Sequence, residues 1–325
     1  MTDDLPPPTA PEIIPVQVYC FDDRDRSERF GNIVAEDVRA LSRMIDLSRL
    51  AGISIATDFD AALLELDRGV ETTTPLTRTR NEVAEGVAMA PMVRRDGINK
   101  WHLMLNAPHF IALEEKNEST ALDLAVHLLA HECAHVQISA HFDEKFPDRY
   151  GLPWKTDEEA ILLQPMLAIW EEYAANCLAG PFCTEFCQRY SEDTLVGYLG
   201  VARKNYQSGL ERFYQHKNWL MFFEDAGRAI FEPLRGLAYV LGDMDGASLD
   251  WTAFPAARKL LDADPVYNCL AVPLHNELKK VAENWNEWNS LEVFAPLMKI
   301  ALSIYCEMGI IIKQYPSGRL DLSIN

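Results

Sequence analysis

The chain is short of cations. It carries 30 Lys and Arg against 49 Asp and Glu, a formal charge of −19 over 325 residues. An acidic surface of this kind repels phosphate backbones and anionic lipid, so neither nucleic acid nor a membrane is an expected partner. Acidity serves solubility first and only mildly favours a basic or neutral substrate. Long apolar runs are also missing. The longest, residues 298–312, is interrupted by Glu307 and is too short to span a bilayer. The first twelve residues hold no basic region followed by an apolar one, so no secretory signal is expected. Paired cysteines are the third lack. Cys183 and Cys187 sit one helical turn apart, but no second pair among the seven completes a zinc cage. Reduced thiols in a cytoplasmic protein are the expectation.

What is present suits a soluble globular chain with one large domain or two intimate ones. Residues 1–12 are acidic and carry Pro6, Pro7 and Pro8, which cannot join a helix or a central strand; a flexible tail is expected. Residues 13–21 read as a first strand. Val34, Val38, Leu41, Ile45 and Leu50 recur near helical spacing, with Gly52 as a stop, and residues 53–56 read as a short strand. Asp96-Gly97 between residues 87–93 and 98–105 is a hairpin signal; Pro91 puts the first arm at an edge or a bulge. From Thr120 onward helices dominate, near residues 184–207, 210–240 and 274–291. A last hairpin is expected around Pro316-Ser317-Gly318, between residues 310–312 and 320–324.

One helix carries recognisable chemistry. Thr120 and Asp123 form a capping-box-like start. Beyond it, Leu122, Val126, Leu129, Cys133 and Val136 fall on one arc at 100° per residue, and His131 and His135 point the other way. Two imidazoles one turn apart on a rigid element can reach one tetrahedral ion with little ordering cost. Glu132 stands beside them, placed to accept a proton from a metal-activated water. This is the His-Glu-x-x-His pattern of zinc peptidases. A chance match in a chain of this composition has a probability of about one or two in a hundred, because three positions are fixed.

A catalytic zinc takes three protein ligands and leaves a fourth position open. The helix expected between Pro165 and Gly180-Pro181 offers the third. Glu172 shares a face there with Ala168, Ile169, Ala175, Asn176 and Ala179, and a carboxylate on so apolar a face needs a partner, of which zinc is one. Glu171 is the competing choice. Asn176 is placed to orient a ligand. His127, one turn before His131, reads as a supporting or core histidine, because three histidines along two turns do not comfortably reach one tetrahedral ion. His141, His102 and His109 have only their residue type in their favour.

These residues resemble the gluzincin group of metallopeptidases, in which two histidines and a downstream glutamate bind zinc. In that group a residue one turn after the glutamate, usually aspartate, supports a ligand histidine; Asn176 stands in that place here. The order of elements is also similar to that of the ImmA/IrrE group of regulatory bacterial peptidases. It covers a helix ending near Leu50-Ala51-Gly52-Ile53, a short strand, a hairpin, a strand ending Leu105-Asn106, the motif helix and the glutamate segment. The similarity spans about residues 34–180. The usual helix-turn-helix companion is not apparent, and the helical half after Gly180 has no counterpart.

The expected fold is therefore α+β. A zincin-like domain over residues 13–180, with a small mixed sheet and the motif helix, precedes a mainly helical region over residues 181–325 expected to pack on it. The expected activity is hydrolysis of a peptide or protein substrate, with zinc on His131, His135 and Glu172 and with Glu132 as general base. Tyr173, Tyr190 and His141 are candidate donors to the oxyanion. The alternative is a metal-stabilised regulatory or binding protein that cleaves nothing. Alternation of Trp101, Leu103 and Leu105 against His102 and Met104 suggests that residues 103–107 form a substrate-facing sheet edge. The oligomeric state is not legible.

Overall fold

The computed structural model describes residues 6–72, 75–115, 118–147, 149 and 153–324. The chain divides into two compact units, Met1–Gly151 with Leu178–Cys187, and Leu152–Cys177 with Gln188–Asn325. The architecture is α+β, with a small mixed sheet in the first half and a mainly helical second half.

In the first unit, Asp23 accepts from the backbone N–H groups of Asp25 and Arg26 and so caps α1 (Arg24–Leu41), after the strand β1 (Val16–Tyr19). The helix expected over residues 34–50 thus starts ten residues earlier and ends at Leu41. Ile45 and Leu47 are buried, but from a run of turns. Apolar residues three to five apart look alike whether a helix or an irregular chain buries them. Of the expected flexible tail, residues 1–5 lie outside the described residues, whereas Thr9 is tied down: its N–H donates to the Ser42 carbonyl and its Oγ1 accepts from Leu47 N at 2.9 Å.

Strands β1, β2 (Leu50–Ala56) and β5 (Ile98–Asn106) run parallel in that order, and β3 (Ala88–Met89) and β4 (Met92–Arg95) pair antiparallel with the far side of β5. Pro91 falls in the break between β3 and β4, where no ladder donor is needed. Asp96 and Gly97, with φ of 54° and 77°, make the expected two-residue hairpin turn. One sheet face, with Ile53, Ile55, Trp101, Leu103 and Leu105, joins Phe30, Val34 and Val38 of α1 in the core. On the other face Met104 packs with Phe59 and Leu63 of α2 (Phe59–Glu65).

Residues 103–107 are not an edge. Leu103 and Leu105 pair with Ile53 and Ile55 on one side, and Leu105 and Met104 pair with Ala88 and Met89 on the other. The alternation of side chains is as expected, but it reports the two sheet faces and says nothing about whether the strand's edges are taken.

After the short α3 (Ala112–Glu115), α4 (Thr120–Lys145) crosses the core face of the sheet. Its cap is Ser119, whose Oγ accepts from Leu122 N at 3.2 Å, so Thr120 is the first helical residue instead of the cap. Leu129, Cys133 and Val136 are buried as the arc predicts, and Leu122 and Val126 pack against the same core half-buried. At the far end Asp143 holds Arg49 Nη1 at 2.5 Å and Asn99 Nδ2 at 2.8 Å, which fixes the helix against β2 and β5.

The second unit takes α5 (Gln164–Ala179) up to Cys177 and most of α6 (Glu185–His216). The helical signal over residues 210–240 is broken: Lys217 turns with φ 52°, and α7 (Trp219–Phe222) and a π turn, Phe223–Gly227, precede α8 (Arg228–Gly246). A second π turn, Glu159–Leu163, leads into α5. Then come α9 (Pro255–Ala263), α10 (Pro265–Glu283), α11 (Ala295–Glu307) and the expected hairpin of β6 (Ile310–Gln314) and β7 (Leu320–Ile324). Trp170 of α5 packs edge-on to Trp288 with ring centroids 4.9 Å apart, and Trp288 donates to the Val281 carbonyl. Among the described residues no helix is long and apolar enough to cross a membrane, and all seven cysteines are free thiols.

Candidate metal centre

On α4, His131 and His135 present the same ring nitrogen to each other. Their Nε2 atoms are 3.0 Å apart and the ring planes meet at 80°. A tetrahedral zinc with bonds of 2.0–2.1 Å separates its ligand nitrogens by about 3.3 Å, so this pair would open by only about 0.3 Å to take one. Without an ion, one ring donates to the other. Glu132 is buried beside them, and Cys133 behind them is a core thiol whose pKa is pushed up by burial and by the Glu132 charge.

His127 is 4 % exposed. Burial, with the charge of His131 as a smaller cause, pushes its pKa down to about 4, so the ring is neutral at pH 7. It hydrogen-bonds the Ala179 carbonyl at the end of α5, and its Nδ1 has no hydrogen-bond partner among the described residues. The proton therefore belongs on Nε2. This is the core histidine that the spacing suggests, and it ties α4 to the residues after Cys177.

Pro165 sits in the first turn of α5, and the 3-10 turn Gly180–Phe182 ends it, as expected. Around Glu172 the face is buried at Ile169, Ala175, Asn176 and Ala179 but open at Ala168, one turn earlier. Glu172 has a partner that the sequence reading missed: its Oε1 lies 3.3 Å from Arg235 Nε on α8. Arg235 Nε also donates to the Tyr239 hydroxyl at 3.0 Å, and Asn176 Nδ2 donates to the Tyr239 carbonyl at 3.1 Å. Two residues one turn apart on α5 thus meet two residues one turn apart on α8. Gly242 permits this approach, since a Cβ there would lie 2.5 Å from the Tyr173 carbonyl oxygen and 2.7 Å from Asn176 Cβ. The available signal was a lone arginine in a segment whose neighbours Leu234, Leu237 and Ala238 are all apolar.

Of the candidate oxyanion donors, Tyr173 is committed elsewhere: its hydroxyl donates to Asp245 Oδ2 at 2.5 Å, and that same oxygen is 2.8 Å from His275 Nε2. His141 lies six residues beyond His135, about 120° round α4 from it. Tyr190 is 42 % exposed on α6, with its pKa raised by burial of the hydroxyl region.

Two sets of side chains among the described residues could hold a metal ion: His131, His135 and Glu172, and His127, Cys183 and Asp243. The first is the set expected from the motif, with Glu172 and not Glu171. Two imidazoles and one carboxylate suit zinc and leave its fourth position open. The chain matches no protein-family model, no curated protein and no solved structure.

Proposed function

We propose that the protein is a zinc-dependent peptidase with a zincin-like fold, in which His131, His135 and Glu172 hold the ion and Glu132 is the general base. The observation that carries this is the convergence of the two Nε2 atoms, 3.0 Å apart, beside a buried glutamate. The ligand atoms of His131, His135 and Glu172 lie within 4.8 Å of one another, which supports adding Glu172.

Bound there, zinc supplies Lewis acidity to a substrate carbonyl and brings the pKa of a water toward neutrality. Glu132 would take a proton from the attacking water and pass it to the departing amine nitrogen. His131 and His135 would hold the ion through the Nε2 atoms that face each other. Arg235, 3.3 Å from the Glu172 carboxylate, would help to orient it. A non-catalytic, metal-stabilised protein is the rival, but a structural zinc normally has four protein ligands, and no structural role calls for a base at Glu132.

The test combines metal analysis of the purified chain with a proteomic search for cleaved peptides. About one zinc per chain is expected, together with cleavage that disappears in Glu132→Gln while the metal stays, because an amide accepts no proton. Cleavage unchanged in Glu132→Gln sinks the mechanism.

A further inference from the structure

The sheet of the first unit ends on β1, which pairs with β2 on one side only. Ile53 N–H donates to the Pro15 carbonyl, and Val16 lies opposite Ile53 in the parallel ladder. Alternate residues of such a strand face the same neighbour, so Pro15, Gln17 and Tyr19 turn their main-chain groups to β2. Val16 and Val18 turn theirs outward, where no strand among the described residues pairs with them. Natural edges carry charge, proline or a bulge against unwanted pairing. This edge is short, but residues 13–21 hold no Asp, Glu, Lys or Arg in a chain where 24 % of residues are charged. Pro15 belongs to the β2 side and removes no outward donor. Both faces of the edge are also left half-covered. On one, Val16 and Val18 pack against the core and are only half-buried, with α1 brought close at Gly31, where a Cβ would lie 3.2 Å from Val18 Cγ2. Beside them a groove of about 440 Å³ opens between β1 and Arg24, Glu28 and Asn32 of α1. Arg24 Nε meets Glu28 Oε1 at 2.8 Å, so the groove wall is close to neutral. On the other face Tyr19 is 58 % exposed.

We infer that a second copy of the chain lays its own β1 antiparallel against this edge, joining the two five-stranded sheets across a two-fold axis at Gln17. A two-fold interface needs a patch that matches itself, and this one does. Pairing Val16 with Val18 of the second copy uses every outward main-chain group of β1 and makes four N–H···O bonds. A two-fold at Val18 instead would leave the Val16 groups outside the strand pair. The register at Gln17 also sets two β-branched pairs side by side along the groove, and on the opposite face it lays Tyr19 against Pro15 of the second copy. No charged residue is brought into the pair, so the contact has no desolvation of ions to offset. The charge of −19 on each copy opposes the approach at low salt and is screened as salt rises.

Sedimentation velocity of the full chain from about 1 to 100 µM tests this, a range that covers a dimer of ordinary affinity. Dimers are expected, and they should tighten as salt rises from about 50 to 500 mM. Val18→Pro removes an outward donor and spares the bonds between β1 and β2, so association should weaken at least about tenfold. Tyr19→Lys changes only an exposed side chain and should weaken it likewise, by putting charge on the edge. Under mild oxidation Gln17→Cys should join two chains, because facing residues of a non-hydrogen-bonded pair have Cα atoms about 4.5 Å apart, within reach of a disulfide. Tyr19→Cys should not, since the two copies of that residue stand about 14 Å apart along the strands. Mass spectrometry of the joined peptides separates this link from any made by the native thiols. A chain that stays monomeric throughout overturns the proposal and leaves the edge to a peptide of another protein. A dimer that survives both Val18→Pro and Tyr19→Lys overturns it too, as does one that loosens as salt rises or one that Gln17→Cys fails to cross-link.

Discussion

Gly242→Ala and Gly200→Ala are the same substitution in helix interiors and should act in opposite directions. Around Gly200, on α6, a new Cβ meets nothing within 4 Å. The variant should gain about 0.5–1 kcal/mol, because alanine loses less conformational freedom on entering a helix. At Gly242 the same gain is outweighed. To bring the Cβ from 2.5 Å to an ordinary 3.4 Å from the Tyr173 oxygen, α8 must move off α5 by about 0.9 Å. That shift stretches the 3.1 Å Asn176–Tyr239 bond and the 3.3 Å Glu172–Arg235 contact past useful range. Overpacking costs about 1–3 kcal/mol and the lost hydrogen bond about 1 kcal/mol, which leaves a net loss of about 1–3 kcal/mol. Urea midpoints and calorimetric melting of both variants measure it, at about 1–2 °C per kcal/mol for 325 residues. Zinc affinity should fall in Gly242→Ala only. If Gly242→Ala proves as stable as Gly200→Ala, the close approach of α8 to α5 is wrong, and with it the geometry assigned to Arg235.

Glu172→Ala should lose bound zinc as His131→Ala and His135→Ala do, while Glu171→Ala keeps it; the reverse pattern, read by metal analysis, moves the third ligand by one residue. His102 offers a pH test. Its Nε2 lies 2.9 Å from Ser54 Oγ in a buried site, and burial, with a smaller push from Arg95, lowers its pKa from 6.5 to about 4. The neutral ring is the folded form. Its contribution is therefore complete above pH 6.5 and is lost as pH falls from 6.5 toward 4, on the order of 2–4 kcal/mol. Urea titrations between pH 7 and 4 should show that slope in the native chain and a shallower one in His102→Gln; equal slopes refute it.

The features legible in the sequence were those written in local chemistry. Asp96-Gly97 can close only a tight hairpin, and a helix that alternates Leu129, Cys133 and Val136 with His131 and His135 has one way to face a core. Caps were less secure: Ser119 and Thr120 are both hydroxyl residues, and only the packed structure shows which one is outside the helix. The extent of α1 was misjudged because Ile45 is buried from a bend and Leu50 from the start of β2, both at helix-like spacing from Leu41. The neighbours of β5 were beyond reach, because a strand's pattern encodes its faces and not its edges. Arg235 was missed for a related reason. Its meaning lies in Glu172 and Tyr239, and no periodicity links α5 to α8.

The first unit is not one stretch of chain. Ala179 and Phe182, which pack in its core, are synthesised only after residues 152–177, which belong to the other unit. A ribosome emitting roughly 5–20 residues per second reaches Cys187 about 2–7 s after Gly151. Through that interval α4 exists, but the Nε2–H of His127 has no Ala179 carbonyl to receive it, and an unmet buried donor costs about 1–3 kcal/mol. The order of synthesis therefore makes His127 the part of α4 that finds its partner last, after the apolar face of that helix has its sheet to pack on.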